Sequence, residues 1–249
     1  MNWHALIFGR ERPPVLEHDC VHVWRISADG RDDLEPFAKV LSPEERASAE
    51  KFHFERERRS FIVSRGTLRH LLASYTGENA ARIHLGFGSH GKPFLANTHL
   101  SGLRFNISHS REIALLAFAL NHEIGVDVEF KRPDVDFVAL ADMSFSKDER
   151  AAIAACPPAD RADLFYEYWT CKEACIKADG RGLSLPLDQF SVTAFGGDPQ
   201  WREIVSVSSA FRKSGLRSRI LEVGKNYAAA VVATRPSWQA LQLNMEFAQ

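Results

Sequence analysis

The sequence predicts an α+β fold built from two similar α/β halves related by an approximate twofold axis, a pseudo-dimer within one chain. Three observations predict it. Ser42-Pro43-Glu44-Glu45-Arg46-Ala47 recurs 104 residues on as Ser146-Lys147-Asp148-Glu149-Arg150-Ala151. Both copies carry the S-x-x-E capping box that opens a helix, preceded by an apolar residue, Leu41 or Phe145. At the same offset Phe61 falls on Phe165, Leu68 on Lys172, Arg69 on Glu173 and Leu72 on Ile176. Two apolar runs, Ile113 to Leu120 and Tyr227 to Thr234, then read as buried closing strands. The division falls near residues 121–124, giving halves of 1–121 and 122–249, with a cleft expected on the pseudo-axis between them.

Each half therefore reads as strand, capped helix, second helical segment, strand and closing strand. Val21-His22-Val23-Trp24-Arg25-Ile26 is the opening strand of the first half, lying over Gly125-Val126-Asp127-Val128-Glu129-Phe130 in the second. In a strand alternate residues share a face, so Asp127 and Glu129 point one way and Val126, Val128 and Phe130 the other. Trp169 to Lys177 reads as a helix whose four-residue spacing sets Trp169, Glu173 and Lys177 on one side. Gly180 is its stop signal.

Composition narrows the function. A formal net charge of −1 argues against a mainly electrostatic nucleic-acid binder. No apolar run reaches the length of a membrane span, and residues 1–11 lack the build of a signal peptide, so a cytoplasmic protein is expected. The four cysteines form no CxxC pair and read as reduced, buried thiols. The histidines show no metal-ligand spacing.

The acids carry the chemistry. Two carboxylates on one face of a buried strand repel, and burying them costs free energy unless a cation or proton compensates. Magnesium takes few protein ligands, all oxygen, with water and substrate phosphates completing its shell, so Asp127, Glu129 and Glu173 suit it as ligands. The bland alternative is a solvated strand face. Lys172 and Lys177 read equally as surface salt-bridge partners of Glu173, and for Lys172 that is the better reading. Gly91-Lys92-Pro93, after Gly86, Gly88 and Ser89, is a turn able to bring an ammonium to a phosphate, or simply a turn. In Phe105-Asn106-Ile107-Ser108-His109-Ser110, four polar side chains either line a phosphate or ribose site or cap neighbouring backbone. Among the many arginines after Ser42, most interleave with glutamates as a solvated face. Arg59 is the one expected to meet a distal phosphate. The acids sit in one half only: Val23, Arg25 and Arg69 occupy the matching positions of the other.

Taken jointly and in order, GKP at 91–93, FNISHS at 105–110, GVDVE at 125–129, FSKDE at 145–149, WTCKEACIK at 169–177 and GRGLSLP at 180–186 resemble the large, pseudo-dimeric 4′-phosphopantetheinyl transferases. The resemblance runs from about residue 42 to 192. It implies transfer of the phosphopantetheine arm of coenzyme A to a serine of an apo acyl or peptidyl carrier protein, with release of adenosine 3′,5′-bisphosphate. It also implies that Asp127, Glu129 and Glu173 hold Mg2+, with Glu173 as ligand, as base for the serine, or as both. Lys177 would neutralise phosphate charge, and Lys92, Ser108, His109 and Arg59 would bind the nucleotide. A basic residue common in the family before Phe145-Ser146 is missing from Ala141-Asp142-Met143-Ser144, which bears on carrier docking. A monomer is expected. Two other readings stay open: a magnesium-dependent coenzyme A or nucleotide pyrophosphatase, and a non-catalytic coenzyme A-binding module.

Overall fold

The computed structural model describes residues 4–8, 11–27, 33–96, 102–195, 197–209, 211, 216–235 and 237–247. Its first half contains β1 (His4–Ile7), β2 (Cys20–Ser27), α1 (Glu35–Ala38), α2 (Pro43–Ala49), α3 (Glu55–Thr76), the hairpin β3 (His84–Phe87) and β4 (Pro93–Ala96), β5 (Leu103–Ser110) and β6 (Ile113–Leu120). The second half contains β7 (Ile124–Phe130), α4 (Phe137–Ser144), α5 (Lys147–Ala155), α6 (Arg161–Asp179), β8 (Phe190–Phe195), β9 (Asp198–Ser206), β10 (Leu216–Ile220), β11 (Tyr227–Ala233) and β12 (Gln239–Glu246). The fold is mixed α+β. Its strands form two five-stranded sheets, ordered β1-β12-β2-β6-β5 and β7-β11-β10-β9-β8.

Four layers result, and the sequence explains them. The run Ile113 to Leu120 is apolar at every position because β6 is buried on both faces. Ala114, Leu116 and Phe118 pack with Ile62, Leu68 and Leu72 of α3. Leu115, Ala117 and Ala119 pack with Val126 and Val128 of the other sheet. β11 repeats the pattern, with Val231 facing the first sheet and Ala230 and Val232 facing α6. The order is therefore α3, first sheet, second sheet, α6. In the first sheet β2, β6 and β5 are antiparallel neighbours, as are β7, β11 and β10 in the second.

One element departs from the chain order. β12 lies parallel between β1 and β2, so residues 239–246, which the sequence places in the second half, complete the sheet of the first. Its alternate apolar residues Leu243 and Met245 join the α3-side core.

Both capping boxes form. Ser42 N donates to Glu45 Oε2 at 2.9 Å and Ser146 N to Glu149 Oε2 at 2.9 Å, with the serine hydroxyls accepting from the third-residue amides in return. The long helix α6 ends at Gly180, whose φ of 89° is the left-handed cap conformation that glycine adopts without cost. Gly125 has a different reason. A Cβ there would stand 2.0 Å from the Ala174 carbonyl oxygen, so only glycine lets α6 lie this close to β7.

Candidate active site

That close approach builds the site. β7 sends Val126 and Val128 into the inter-sheet core and turns Asp127 to the opposite face, toward α6. Lys177 Nζ donates to Asp127 Oδ1 at 2.6 Å and to Ser108 Oγ at 3.0 Å, while Ser108 Oγ donates to Asp127 Oδ1 at 2.9 Å. Asp127 is 2% exposed, and its second oxygen, Oδ2, has no hydrogen-bond partner among the described residues. A buried carboxylate oxygen left unpaired is costly unless something else meets it.

The FNISHS segment has a second task. β7 is the edge of its sheet, and the outward N–H groups of Val126, Val128 and Phe130 need acceptors. Asn106 Oδ1, Ser108 Oγ and Ser110 Oγ of β5 accept them at 3.0, 3.3 and 3.0 Å. Alternate side chains thus stand in for a strand, at the two-residue period of the edge they bridge. Ser108 also receives Lys177 and gives its proton to Asp127, so its hydroxyl is fully used within the protein. Ser110 Oγ reaches Glu129 Oε2 at 3.4 Å.

Electrostatics mark the cluster. Burial, then the Asp127 and Glu173 charges, push the Glu129 carboxyl up to about 7, against the pull of Lys177 and Ser110. Burial and Asp127 likewise raise Glu173, with Lys177 opposing. Two half-buried acids held above their ordinary range by a third are short of positive charge. The donor set fits a hard divalent cation: carboxylate oxygens only, one of them orphaned. Among the described residues, no three His, Cys, Asp or Glu side chains are gathered into a ready ligand group.

Basic groups act on the same cluster. His109 keeps an exposed face, yet desolvation by burial, then the charges of Lys177 and Arg65, lower its pKa, against Asp127. Arg65 is the residue the sequence reading passed over as part of a solvated face. Its Nε and Nη1 are buried without a hydrogen bond among the described residues, and its ion pair with Glu45 is a long one, 3.7 Å from Nε. Arg58, Phe61, Arg65 and Arg69 follow one another at three- and four-residue steps, the stripe that could have singled it out. Arg59, six residues before Arg65, lies on a different side of α3 and acts on exposed Glu55, after Arg58.

Two lysines differ from expectation. Lys92 Nζ donates to Glu123 Oε2 at 2.7 Å, Ile124 O at 3.2 Å and Ala178 O at 3.3 Å, tying the β3–β4 hairpin to β7 and to the last turn of α6. Lys172 is no surface salt bridge. It is fully buried, and its ion pair is with Glu149 at 2.8 Å rather than with Glu173. Spacing alone could not show this, because the next residue on a helix is turned by about 100° into the core. The thiols are free, but only Cys171 and Cys175 are buried; Cys20 and Cys156 are partly exposed.

A family model described as the 4′-phosphopantetheinyl transferase superfamily matches residues 123–232, and one described as 4′-phosphopantetheinyl transferase, N-terminal, matches 24–121. The chain is 39% identical over 177 residues to the 4′-phosphopantetheinyl transferase HetI of Nostoc sp., covering 70% of this chain and 75% of that one. This chain belongs to the 4′-phosphopantetheinyl transferases. It is also 30% identical over 208 residues to the 4′-phosphopantetheinyl transferase Sfp of Bacillus subtilis, covering 84% and 88% of the two chains. A third relative, the L-aminoadipate-semialdehyde dehydrogenase-phosphopantetheinyl transferase of Mus musculus, is 30% identical over 171 residues, 64% of this chain and 55% of that one. The boundary between the two family models, at residues 121–123, falls between β6 and β7, so that Ser108 lies in the first match and Asp127 in the second. Among the described residues, no helix of this transferase is long and apolar enough to cross a membrane.

Proposed function

We propose that this transferase moves 4′-phosphopantetheine from coenzyme A to a serine of an apo acyl or peptidyl carrier protein, at the β5–β7 seam and in the presence of Mg2+. One observation carries the placement: a buried Asp127 with an orphaned oxygen, flanked by two acids of raised pKa and by Lys177.

The serine oxygen attacks the phosphorus that carries the pantetheine arm. A P–O bond forms as the P–O bond to the departing adenosine 3′,5′-bisphosphate breaks. Phosphoryl transfer asks for positioning and charge neutralisation more than covalent help. Asp127, Glu129 and Glu173 would hold the magnesium, which when bound supplies positive charge to the diphosphate. Glu173, half-buried between the charges of Asp127 and Lys177, would act as ligand, as base for the serine proton, or as both. Lys177 turns its ammonium from Asp127 toward phosphate charge. His109 and Arg65 receive the nucleotide phosphates, Arg65 ahead of Arg59 because its charge acts on His109 and its buried Nε and Nη1 have no hydrogen bond among the described residues. Lys92 joins them through the hairpin that it anchors, and Ser108 acts by holding Asp127.

The same reading takes the halves, 1–121 for nucleotide binding and 122–249 for the acids, as copies related by a pseudo-twofold axis. The repeated order β2-β6-β5 and β7-β11-β10 and the paired capping boxes support it. It also takes the protein as a cytoplasmic monomer without nucleic acid or membrane partners, since both halves of the cleft come from one chain. Mass spectrometry of an apo carrier protein incubated with coenzyme A, magnesium and this protein tests the function. A gain of the phosphopantetheine mass on one serine is expected. Cleavage of coenzyme A with the carrier unmodified would mean a pyrophosphatase.

A further inference from the structure

The chemistry above leaves a buried cation in each half without a role. In the second half Lys172 Nζ meets Glu149 Oε2 at 2.8 Å and donates to Leu187 O and Phe190 O at 2.7 and 2.6 Å, 4.5 Å from the centre of the Phe190 ring. Glu149 is the capping-box acid of α5; it takes Ser146 N at 2.9 Å and Val192 N at 2.8 Å. One ion pair, with neither partner more than 2% exposed, therefore joins α5, α6 and the start of β8.

The first half repeats the arrangement, with Arg69 standing where Lys172 does and not, as the 104-residue offset set it, where Glu173 does. Arg69 Nε meets Glu45 Oε2 at 2.5 Å, and Nη1 donates to Ala80 O and Ile83 O at 3.2 and 3.0 Å. Glu45 is the capping-box acid of α2. Each clasp thus consists of a capping glutamate, a cation on the following long helix, and two carbonyls of the segment that leaves that helix. Each also adjoins the active site. Glu173 is the next residue after Lys172, and Arg65 is one turn before Arg69 and 3.7 Å from the same Glu45.

A buried ion pair is a poor device for stability, because a well-packed apolar pair often does as well or better; what it supplies is a fixed orientation. On a helix, fixing one residue fixes the azimuth of its neighbours at about 100° per residue. We propose that the two clasps are positioning devices with divided tasks. Lys172–Glu149 sets the rotation of α6 that turns Glu173 and Lys177 toward Asp127. Arg69–Glu45 sets Arg65 toward the nucleotide. The proposal rests on the reading of the cleft as the coenzyme A site.

The test removes both charges of a clasp together, which leaves no lone charge in the second half and leaves Arg65 without its Glu45 counter-charge in the first. Lys172→Met with Glu149→Gln keeps an amide oxygen for Val192 N. Coenzyme A binding is measured by calorimetry with and without magnesium, and transfer in a single turnover. A cooperative melt is expected, with magnesium-free affinity within about threefold of the parent, loss of magnesium-dependent tightening, and transfer slower by about 10- to 100-fold, the scale of a misplacement near 1 Å. Arg69→Met with Glu45→Gln is expected to do the converse: coenzyme A affinity weaker by about tenfold, with the saturated rate near that of the parent. Parental magnesium coupling and parental rate in the folded Lys172 variant would overturn the proposal, as would a rate defect without an affinity defect in the Arg69 variant. Should the Lys172 pair variant not fold, Lys172→Arg keeps the charge but changes the head group, and an unaltered coupling and rate there would overturn it equally. Magnesium coupling is read without any carrier. A parent that couples but never modifies a carrier therefore sinks the transferase reading and leaves the clasps still scored.

Discussion

Replacing Lys177 by methionine separates what the site does for catalysis from what it costs the fold. Asp127 is almost wholly buried and its Oδ1 is met by Lys177 at 2.6 Å and by Ser108 at 2.9 Å. Breaking a buried pair by removing one partner costs about 3–5 kcal/mol, because the remaining charge is left uncompensated. The Lys177 side chain is 28% exposed, so water recovers part of that loss. Lys177→Met is therefore expected to destabilise by about 2–3 kcal/mol at pH 7, or roughly 5–10 °C in melting temperature for a chain of this size. Asp127→Asn leaves an exposed-edge ammonium and a neutral amide of the same shape, and is expected to cost no more than about 1 kcal/mol. The double variant should cost less than the two singles together by about 1–2 kcal/mol, as neighbours in contact do. Denaturant titration of the four proteins reads all of this. The reasoning fails if Lys177→Met is as stable as the parent, or if the two effects simply add.

Three further outcomes follow from the geometry. His22 is buried with Nδ1 2.8 Å from Tyr75 Oη, and burial lowers its pKa to about 4. The folded state thus binds fewer protons than the unfolded one, so stability is full above pH 6.5 and falls by up to about 3 kcal/mol as the pH drops to 4; His22→Gln should flatten that slope by about one proton in denaturation midpoints, and an unchanged slope would count against it. Gly125→Ala sets a methyl 2.0 Å from Ala174 O and should lift α6 off β7, seen as loss of transfer with a lowered melting temperature; normal activity would mean that the close approach is dispensable. Arg65→Met should weaken coenzyme A binding by about tenfold or more while Arg59→Met changes it less than twofold, and calorimetry showing the reverse order would restore Arg59 to the phosphate site.

Much of this was legible in the residues, and what was not has physical reasons. Alternating carboxylates in GVDVE, the two S-x-x-E boxes and the two all-apolar runs each encode a local periodicity, and the corresponding strands and helices form where those periods lie. Asp127 and Lys177 meet because Gly125 permits it, and that contact too is local to one motif pair. Lys172 escaped because burial of a charge depends on Glu149, 23 residues away in sequence, and on carbonyls of a later turn. Arg65 escaped because composition averages over a helix, whereas burial without a hydrogen bond is a property of three dimensions. The double task of Asn106, Ser108 and Ser110 was open in the sequence as two alternatives. The structure gives the backbone-capping alternative its partners on β7 and turns Ser108 to Asp127 as well. β12 could not be placed by pattern, since nothing in an apolar strand names the sheet that it joins.

The acid cluster as the seat of transfer is tested most directly by single-turnover modification of an apo carrier protein by the parent, Asp127→Ala and Glu173→Ala, with coenzyme A binding measured alongside. The expected result is that both variants stay folded and bind the nucleotide, yet leave the carrier serine unmodified. Near-normal transfer by either would remove that residue from the mechanism, and by both would place the chemistry somewhere other than the β5–β7 seam.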